Sequence, residues 1–134
     1  MLYEKLIKID GYSKLISAID ESDYTIVDIT TPSHKVLRGG NTHIKLGEEV
    51  FLDLYEYDDA TLLYQDVNSI SSDGYTITLD NGDDSTTTHY EWVSTPNFFL
   101  YDNMIVLYVG VDSELIQFIS KESQEQITGM KYGN

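Results

Sequence analysis

The chain has 134 residues and a formal net charge of −15, and it contains no cysteine. This length suits one domain with a real core, and the lack of cysteine excludes a disulfide framework, a thiolate nucleophile and a cysteine zinc site. Because 41% of the residues are hydrophobic and 12% are aromatic, intrinsic disorder is not expected. We therefore expect a single acidic domain over residues 1–134.

The N-terminal part of the chain has helical periodicity. The segment YSKLISAIDES places Leu15, Ile16 and Ile19 on one face directly after Gly11, which predicts a helix. Residues 2–9 fit either a helix or a strand. From Tyr24 the apolar period changes to two, so YTIVDIT is predicted to be a strand, and the sequence Gly-Gly-Asn at positions 39–41 predicts a hairpin turn.

An alternating pattern continues through the middle of the chain. EEVFLDLYEYDD, TLLYQDVNSI, YTITL and STTTHYEWV are each predicted to be strands, with turns at SSDG and at Asn81-Gly82. NMIVLYVGV is continuously apolar, which is typical of a central strand covered on both faces. SELIQFISKESQEQI, capped by Asp112, predicts a closing helix. The predicted fold class is α+β: a mostly antiparallel sheet of six to eight short strands, which could curl into a barrel, with an N-terminal and a C-terminal helix.

Positive charge is confined to the two flanks of the chain. Lysine and arginine are absent from residues 46–120, which hold 15 of the 23 acidic residues. The flanks hold eight acidic and eight basic residues, so their charges cancel. Such a field repels nucleic acid and anionic membranes and attracts basic surfaces, although a requirement for solubility alone would produce the same composition.

Residues 80–91 have the length of an EF-hand calcium loop, with Asp80 at the first position and Glu91 at the last. The pattern fails inside the loop, since Gly82 occupies the third position, where a ligand is needed, and Ser85 the sixth, where glycine is needed. The flanking segments alternate as strands do, whereas an EF-hand joins two helices. We therefore predict a hairpin loop with an acidic tip, and weak calcium binding by this loop stays an open alternative.

No residue pattern in the chain indicates a reaction. His34, His43 and His89 are not at metal-ligand spacing, and the chain has no nucleophile elbow and no phosphate-binding glycine loop. The sequence therefore predicts a protein without catalytic residues, metal or cofactor.

The 11 tyrosines are more informative, because tyrosine combines an apolar ring with a polar tip and suits protein interfaces. Tyr55 and Tyr57 share a strand face with Glu49 and Asp53. Alternate side chains on a strand lie roughly 7 Å apart, so a row of carboxylates there can imitate a phosphate chain. The alternative is that both tyrosines lie beneath a helix or a second sheet.

These observations favour a non-enzymatic acidic protein that binds a basic protein surface. Its sharpest form is a nucleic-acid mimic, a phage-type inhibitor that occupies the nucleic-acid-binding cleft of a host nuclease, restriction enzyme or CRISPR effector. We expect a cytoplasmic protein, in the host cell if a phage encodes it, with no membrane segment and no direct contact with nucleic acid. The alternatives are a structural or assembly module, such as a virion or tail-associated protein, and a barrel that binds an ion or a small molecule. The predicted partner-binding residues are Glu48, Glu49, Asp53, Tyr55, Glu56, Tyr57, Asp58, Asp59, Asp80, Asp83, Asp84 and Glu91.

Overall fold

The computed structural model describes residues 10–130, which contain three helices and eight strands. The helices are α1 (Gly11–Asp20), α2 (Ala60–Ser69) and α3 (Ser113–Glu122). The strands are β1 (Asp28–Thr30), β2 (Gly40–Lys45), β3 (Phe51–Glu56), β4 (Thr76–Asp80), β5 (Ser85–His89), β6 (Pro96–Tyr101), β7 (Met104–Val109) and β8 (Glu125–Gln126). The predicted α+β class with a mostly antiparallel sheet is confirmed, whereas the prediction for residues 2–9 lies outside the described residues.

Six strands form one antiparallel sheet in the order β1-β2-β3-β7-β6-β8, and β4 pairs with β5 in a separate hairpin. The predicted curl into a barrel is wrong, because β1 and β8 are the two edges of this sheet and do not pair with each other. Other elements cover both faces of the sheet, so its apolar side chains are buried without closure. The apolar segment NMIVLYVGV forms β7, which lies between β3 and β6 and is confirmed as a central strand covered on both faces.

Alternate side chains of the sheet build one core on each face, which makes the described part of the chain a three-layer arrangement. On the first face, α1 packs through Leu15 and Ile19, and α3 packs through Leu115 and Ile119. On the second face, α2 and the β4–β5 hairpin cover the sheet, with Leu63 and Ile77 as their most buried apolar residues. Because successive side chains of a strand point to opposite faces, β3 and β7 contribute alternate residues to the two cores.

The two predicted terminal helices are confirmed, and aspartates cap both of them. Asp10 accepts a hydrogen bond from the Tyr12 N–H at the start of α1, and Asp112 accepts from the Glu114 and Leu115 N–H groups at the start of α3. The predicted closing helix ends earlier than its sequence pattern, since residues 125–126 form β8. No helix within residues 10–130 has the length and apolar character that crossing a membrane requires.

The segment TLLYQDVNSI forms helix α2, so its prediction as a strand is wrong. Asp59 caps this helix, and Leu63 and Asp66 lie on its buried side, three residues apart as neighbours on one helix face are. The predicted hairpin turn at positions 39–41 is wrong as well, because β2 begins at Gly40 and turns into β3 at residues 46–50.

Candidate protein-binding surface

The acidic residues of the predicted surface lie at both ends of strand β3. Glu48 and Glu49 are exposed in the turn that precedes β3, whereas Asp58 is exposed beyond its far end. β3 has six residues, which at about 3.3 Å per residue separates the two groups by roughly 20 Å. The structure therefore places these carboxylates in two separate groups and not in one continuous row.

The group at the far end of β3 consists of Glu56, Asp58 and Asp59. Glu56 is half-buried, and its burial, followed by the charges of Asp10 and Asp58, raises its pKa above the ordinary value. Asp59 is exposed, and its carboxylate accepts the N–H of Thr61 at 2.8 Å as the cap of α2. Like charges therefore lie close together at this end, and one of them also holds the first turn of a helix.

The tip of the β4–β5 hairpin carries the third acidic group. Asp80, Asp83 and Asp84 are all exposed there. Gly82 has a φ of 95°, in the left-handed region that glycine tolerates, which confirms the predicted turn at Asn81-Gly82. The hairpin loop thus holds three carboxylates in a small exposed segment.

Asp80 and Glu91, the two ends of the calcium-like span, lie far apart. Asp80 pairs with Ser85 at the start of β5, and the strand then leads away from the tip to His89. Six residues of extended chain from Ser85 to Glu91 correspond to roughly 20 Å, so the two end carboxylates cannot share an ion. Within residues 10–130, no group of three or more His, Asp or Glu side chains could hold a metal ion.

Tyr55 and Tyr57 are buried, so the prediction that they anchor a partner at the surface is wrong. Their exposed fractions are 2% and 4%. Both point to the sheet face that α2 covers, where the Tyr57 hydroxyl donates to Asp66 Oδ2 at 2.6 Å and the Tyr55 hydroxyl accepts the Val36 N–H at 3.4 Å. Burial is the main cause that raises the pKa of each phenol. These two tyrosines stabilise the core and cannot meet a partner without unfolding part of it.

Asp53 is held within the sheet and does not project freely. Its Oδ1 lies 2.8 Å from Nδ1 of His43 on the neighbouring strand, and the His43 ring stacks on Phe51 with the ring centroids 4.8 Å apart. Phe51 is 37% exposed, so this cross-strand group forms part of the molecular surface. An apolar ring therefore lies in the open beside the acidic turn of Glu48 and Glu49.

The cations Arg38 and Lys14 are engaged by acidic residues of the chain itself. An Arg38 guanidinium nitrogen lies 2.6 Å from Oδ1 of Asp66, whose side chain is fully buried. Lys14 Nζ lies 3.4 Å from Asp102 and 3.9 Å from Glu122. Arg38 therefore neutralises a buried carboxylate, and Lys14 lies beside the largely buried Asp102 and the exposed Glu122, so neither cation pairs with the acidic groups at the ends of β3 or at the hairpin tip.

Sequence reasoning missed an acidic groove between the end of α1 and the start of α3. The groove has a volume of about 520 Å³, and its lining includes Glu21, Asp23, Tyr24, Asp112, Glu114 and Phe118. The rings of Tyr24 and Phe118 are in contact, with centroids 5.3 Å apart. Burial, followed by the charges of Asp112 and Glu114, raises the pKa of Tyr24. Asp112 was recognisable only as a helix cap, because its proximity to Tyr24 depends on helix packing between distant parts of the chain.

Comparison with protein-family models, with curated proteins and with solved structures finds no match. The surface of the described residues carries three acidic groups, the acidic groove between α1 and α3, and the partly exposed ring of Phe51 stacked on His43.

Proposed function

We propose that this chain is a non-enzymatic acidic protein that binds a basic protein surface. One observation carries the proposal. Residues 46–120 hold 15 carboxylates and no lysine or arginine. Within residues 10–130, only Asp66 and Asp102 of these carboxylates lie in an ion pair with arginine or lysine, and Asp53 lies beside the His43 ring. The other twelve produce a negative field that attracts lysine and arginine side chains of another protein.

The sharpest form of the proposal is nucleic-acid mimicry. Exposed carboxylates such as Glu48, Glu49, Asp80, Asp83 and Asp84 would take the place of phosphates in the cleft of a nuclease, restriction enzyme or CRISPR effector. The chemistry is competition, since cationic side chains that hold carboxylates are no longer free to hold a nucleic-acid backbone. The buried position of Tyr55 and Tyr57 removes the tyrosine anchors from this proposal but leaves its electrostatic part unchanged.

Salt-dependent capture tests the proposal. The immobilised protein is exposed to a cell lysate at about 0.05 M salt and washed at about 0.5 M, where screening reduces the range of exposed charges to a few ångströms. We expect captured nucleic-acid-binding proteins to be released by the salt wash and, in a second experiment at low salt, by duplex DNA. Capture that is insensitive to salt, or partners that duplex DNA does not displace, would contradict the mimicry.

A charge-neutral variant provides the matched comparison. Glu48→Gln and Glu49→Gln, combined with Asp80→Asn, Asp83→Asn and Asp84→Asn, remove five exposed charges and preserve the side-chain shapes. We expect this variant to lose capture at low salt. A control with Thr86→Ser and Thr87→Ser, in the exposed strand beside the hairpin tip, keeps it.

An assembly module is the second candidate, and exposed apolar side chains favour it. Val93 is 98% exposed, and Phe51 is also in contact with solvent. In this case the purified protein self-associates in sedimentation experiments, and its contacts are insensitive to the five amide substitutions.

A further inference from the structure

One end of the six-stranded sheet gathers segments that are distant in sequence. Asp28 pairs with Lys45, Lys45 pairs with Phe51, and Pro96 pairs with Val109. The β3–β7 register, continued by two residues, places Phe51 beside Val109 as well. We call this the turn end of the sheet: the end where β1, β3 and β6 begin and where β2 and β7 finish. It consists of five adjacent strand ends, which at about 4.8 Å between strands span roughly 20 Å.

The turn end exposes four large apolar side chains. Val27, Val93 and Val111 are 60%, 98% and 57% exposed, and Phe51 adds its ring. Backbone hydrogen bonds fix these segments in place: the Val27 N–H donates to the Lys45 carbonyl at 2.7 Å, and the N–H of residue 110 donates to the carbonyl of residue 95 at 2.8 Å. Exposed apolar groups gathered in one region mark protein interaction sites more often than the same groups scattered singly.

Carboxylates surround these apolar side chains. Glu48 and Glu49 lie in the turn before Phe51, and Asp28 begins the neighbouring edge strand. Asp112 and Glu114 follow Val111 and line the acidic groove. Lys45 also lies at this end, between Asp28 and Phe51, so the five carboxylates outnumber this lysine but do not stand alone. The ion-paired Lys14 and Arg38 belong to other parts of the molecule: Lys14 contacts the end of α3, and Arg38 contacts α2.

We propose that the turn end is the docking surface for the basic partner, which inserts an apolar side chain between flanking lysines or arginines. The inference rests on the proposed function, and it replaces the buried tyrosines as anchors with Val27, Phe51, Val93 and Val111. Charge complementarity selects the occupant, because an apolar patch with an acidic rim repels an acidic or anionic-lipid partner and accepts a cationic one. A patch roughly 20 Å across covers about 300–400 Å², less than the approximately 800 Å² that each partner contributes to a standard protein interface, so the contact must extend over the surrounding charged rim.

Two binding components follow from this arrangement. The acidic rim gives a component that salt screens, whereas burial of the valines and Phe51 gives a component that salt does not weaken. A partner that used only the hairpin tip, with Asp80, Asp83 and Asp84, would show the first component alone.

Titration of the ¹⁵N-labelled protein with two defined peptides tests the inference. One peptide alternates lysine with leucine, and the other carries the same number of lysines without leucine. We expect the lysine–leucine peptide to bind about tenfold more tightly, since a tenfold change corresponds to about 1.4 kcal/mol, less than the burial of one large apolar side chain supplies. Its amide shift changes should concentrate in residues 23–28, 47–51, 93–95 and 110–114.

Two exposed substitutions sharpen the test without disturbing the core. Val93→Ser combined with Val111→Ser should reduce the affinity for the lysine–leucine peptide toward that for the lysine peptide, because only Val27 and Phe51 remain as apolar anchors. Tyr64→Ser, at a 53% exposed position on α2, is the matched control and should leave the affinity unchanged.

Four results would overturn the inference, and they separate its failure from that of the proposed function. Shift changes centred on residues 80–84, or equal affinity for both peptides, would remove the docking surface and leave an acidic binding protein. A dimer of the protein alone that Val93→Ser and Val111→Ser dissociate would make the turn end a contact between copies. Failure of both peptides to bind at low salt would remove the docking surface and the proposed function together.

Discussion

The buried carboxylate of Asp66 offers the sharpest test of how this chain is held together. It accepts hydrogen bonds from the Arg38 backbone N–H at 2.8 Å, from Arg38 Nε at 2.7 Å and from the Tyr57 hydroxyl at 2.6 Å. Arg38 in turn donates to the carbonyl of Asp80, so it joins the segment before β2, helix α2, strand β3 and the β4–β5 hairpin. Asp66→Ala removes the one group that satisfies these donors.

The expected loss follows from the burial of the pair. Asp66 is fully buried and the Arg38 side chain is 24% exposed, so the substitution leaves a largely desolvated cation and a buried hydroxyl without their acceptor. Removing one partner of a buried ion pair costs about 3–5 kcal/mol, a large part of the 5–15 kcal/mol that stabilises a typical domain. For a chain of 134 residues this corresponds to a fall in Tm of roughly 10–18 °C.

Urea unfolding followed by circular dichroism measures this loss, with a triple variant as its control. Asp66→Leu, Arg38→Met and Tyr57→Phe together remove every polar side chain of the network and leave only the Arg38 backbone N–H without its acceptor. This variant should recover part of the stability, because an apolar replacement leaves no buried charge unpaired. A loss below about 1 kcal/mol for Asp66→Ala, or a triple variant as unstable as the single one, would refute the reasoning.

Two further predictions concern pH and helix capping. Burial, followed by the charges of Glu122 and Asp102, raises the pKa of Tyr101 to about 12. The pKa of free tyrosine is about 10, so between about pH 10 and about pH 12 the unfolded chain has released a proton that the folded chain retains on this side chain. The free energy of unfolding therefore falls by about 1.4 kcal/mol per pH unit for this group. Urea unfolding at pH 9 and pH 11 measures this fall, which Tyr101→Phe should reduce. Asp112→Ala removes the acceptor for two N–H groups at the start of α3 and should lower the free energy of unfolding by about 1 kcal/mol. Asp20→Ala, at the exposed last residue of α1, should change it by less than about 0.5 kcal/mol, and equal effects would contradict the capping role of Asp112.

The sequence predicts those helices and turns that depend mainly on residues close together in the chain. Helix α3 combines a capping aspartate with an apolar stripe, and the β4–β5 turn has its Asn-Gly pair, so both follow from neighbouring residues. Helix α2 is different, because the buried side of this helix includes Asp66, and a carboxylate interrupts the apolar period that would reveal a helix. Only the distant Arg38 and Tyr57 make that burial favourable.

The burial of Tyr55 and Tyr57 has the same long-range cause, because helix α2 covers the face to which they point. The alternation along β3 correctly separates Tyr55 and Tyr57 from Leu52 and Leu54, but it does not tell which face another element covers. Gly39 illustrates the same limit: a Cβ there would lie 2.7 Å from the Tyr57 ring, so this glycine allows close packing and does not form a hairpin turn.

The candidate surface depends still more on pairing between distant segments. Phe51 and Val111 lie at the same end of the sheet because β3 pairs with β7 across about fifty residues of sequence, and no local period encodes that register. The sequence does predict the excess of acidic side chains and their exposure in turns. Their division between the two ends of β3 and the hairpin tip follows only from the fold.

The position of β7 gives this protein a built-in reporter of binding. With strands on both sides and a packed layer on each face, its amide hydrogens should exchange with solvent only when the whole molecule opens. Any ligand that binds the folded chain and not the unfolded one slows that exchange by the factor 1 + [L]/Kd. Deuterium uptake at residues 104–109 can therefore screen for partners directly, with no enzymatic assay and no label on the ligand.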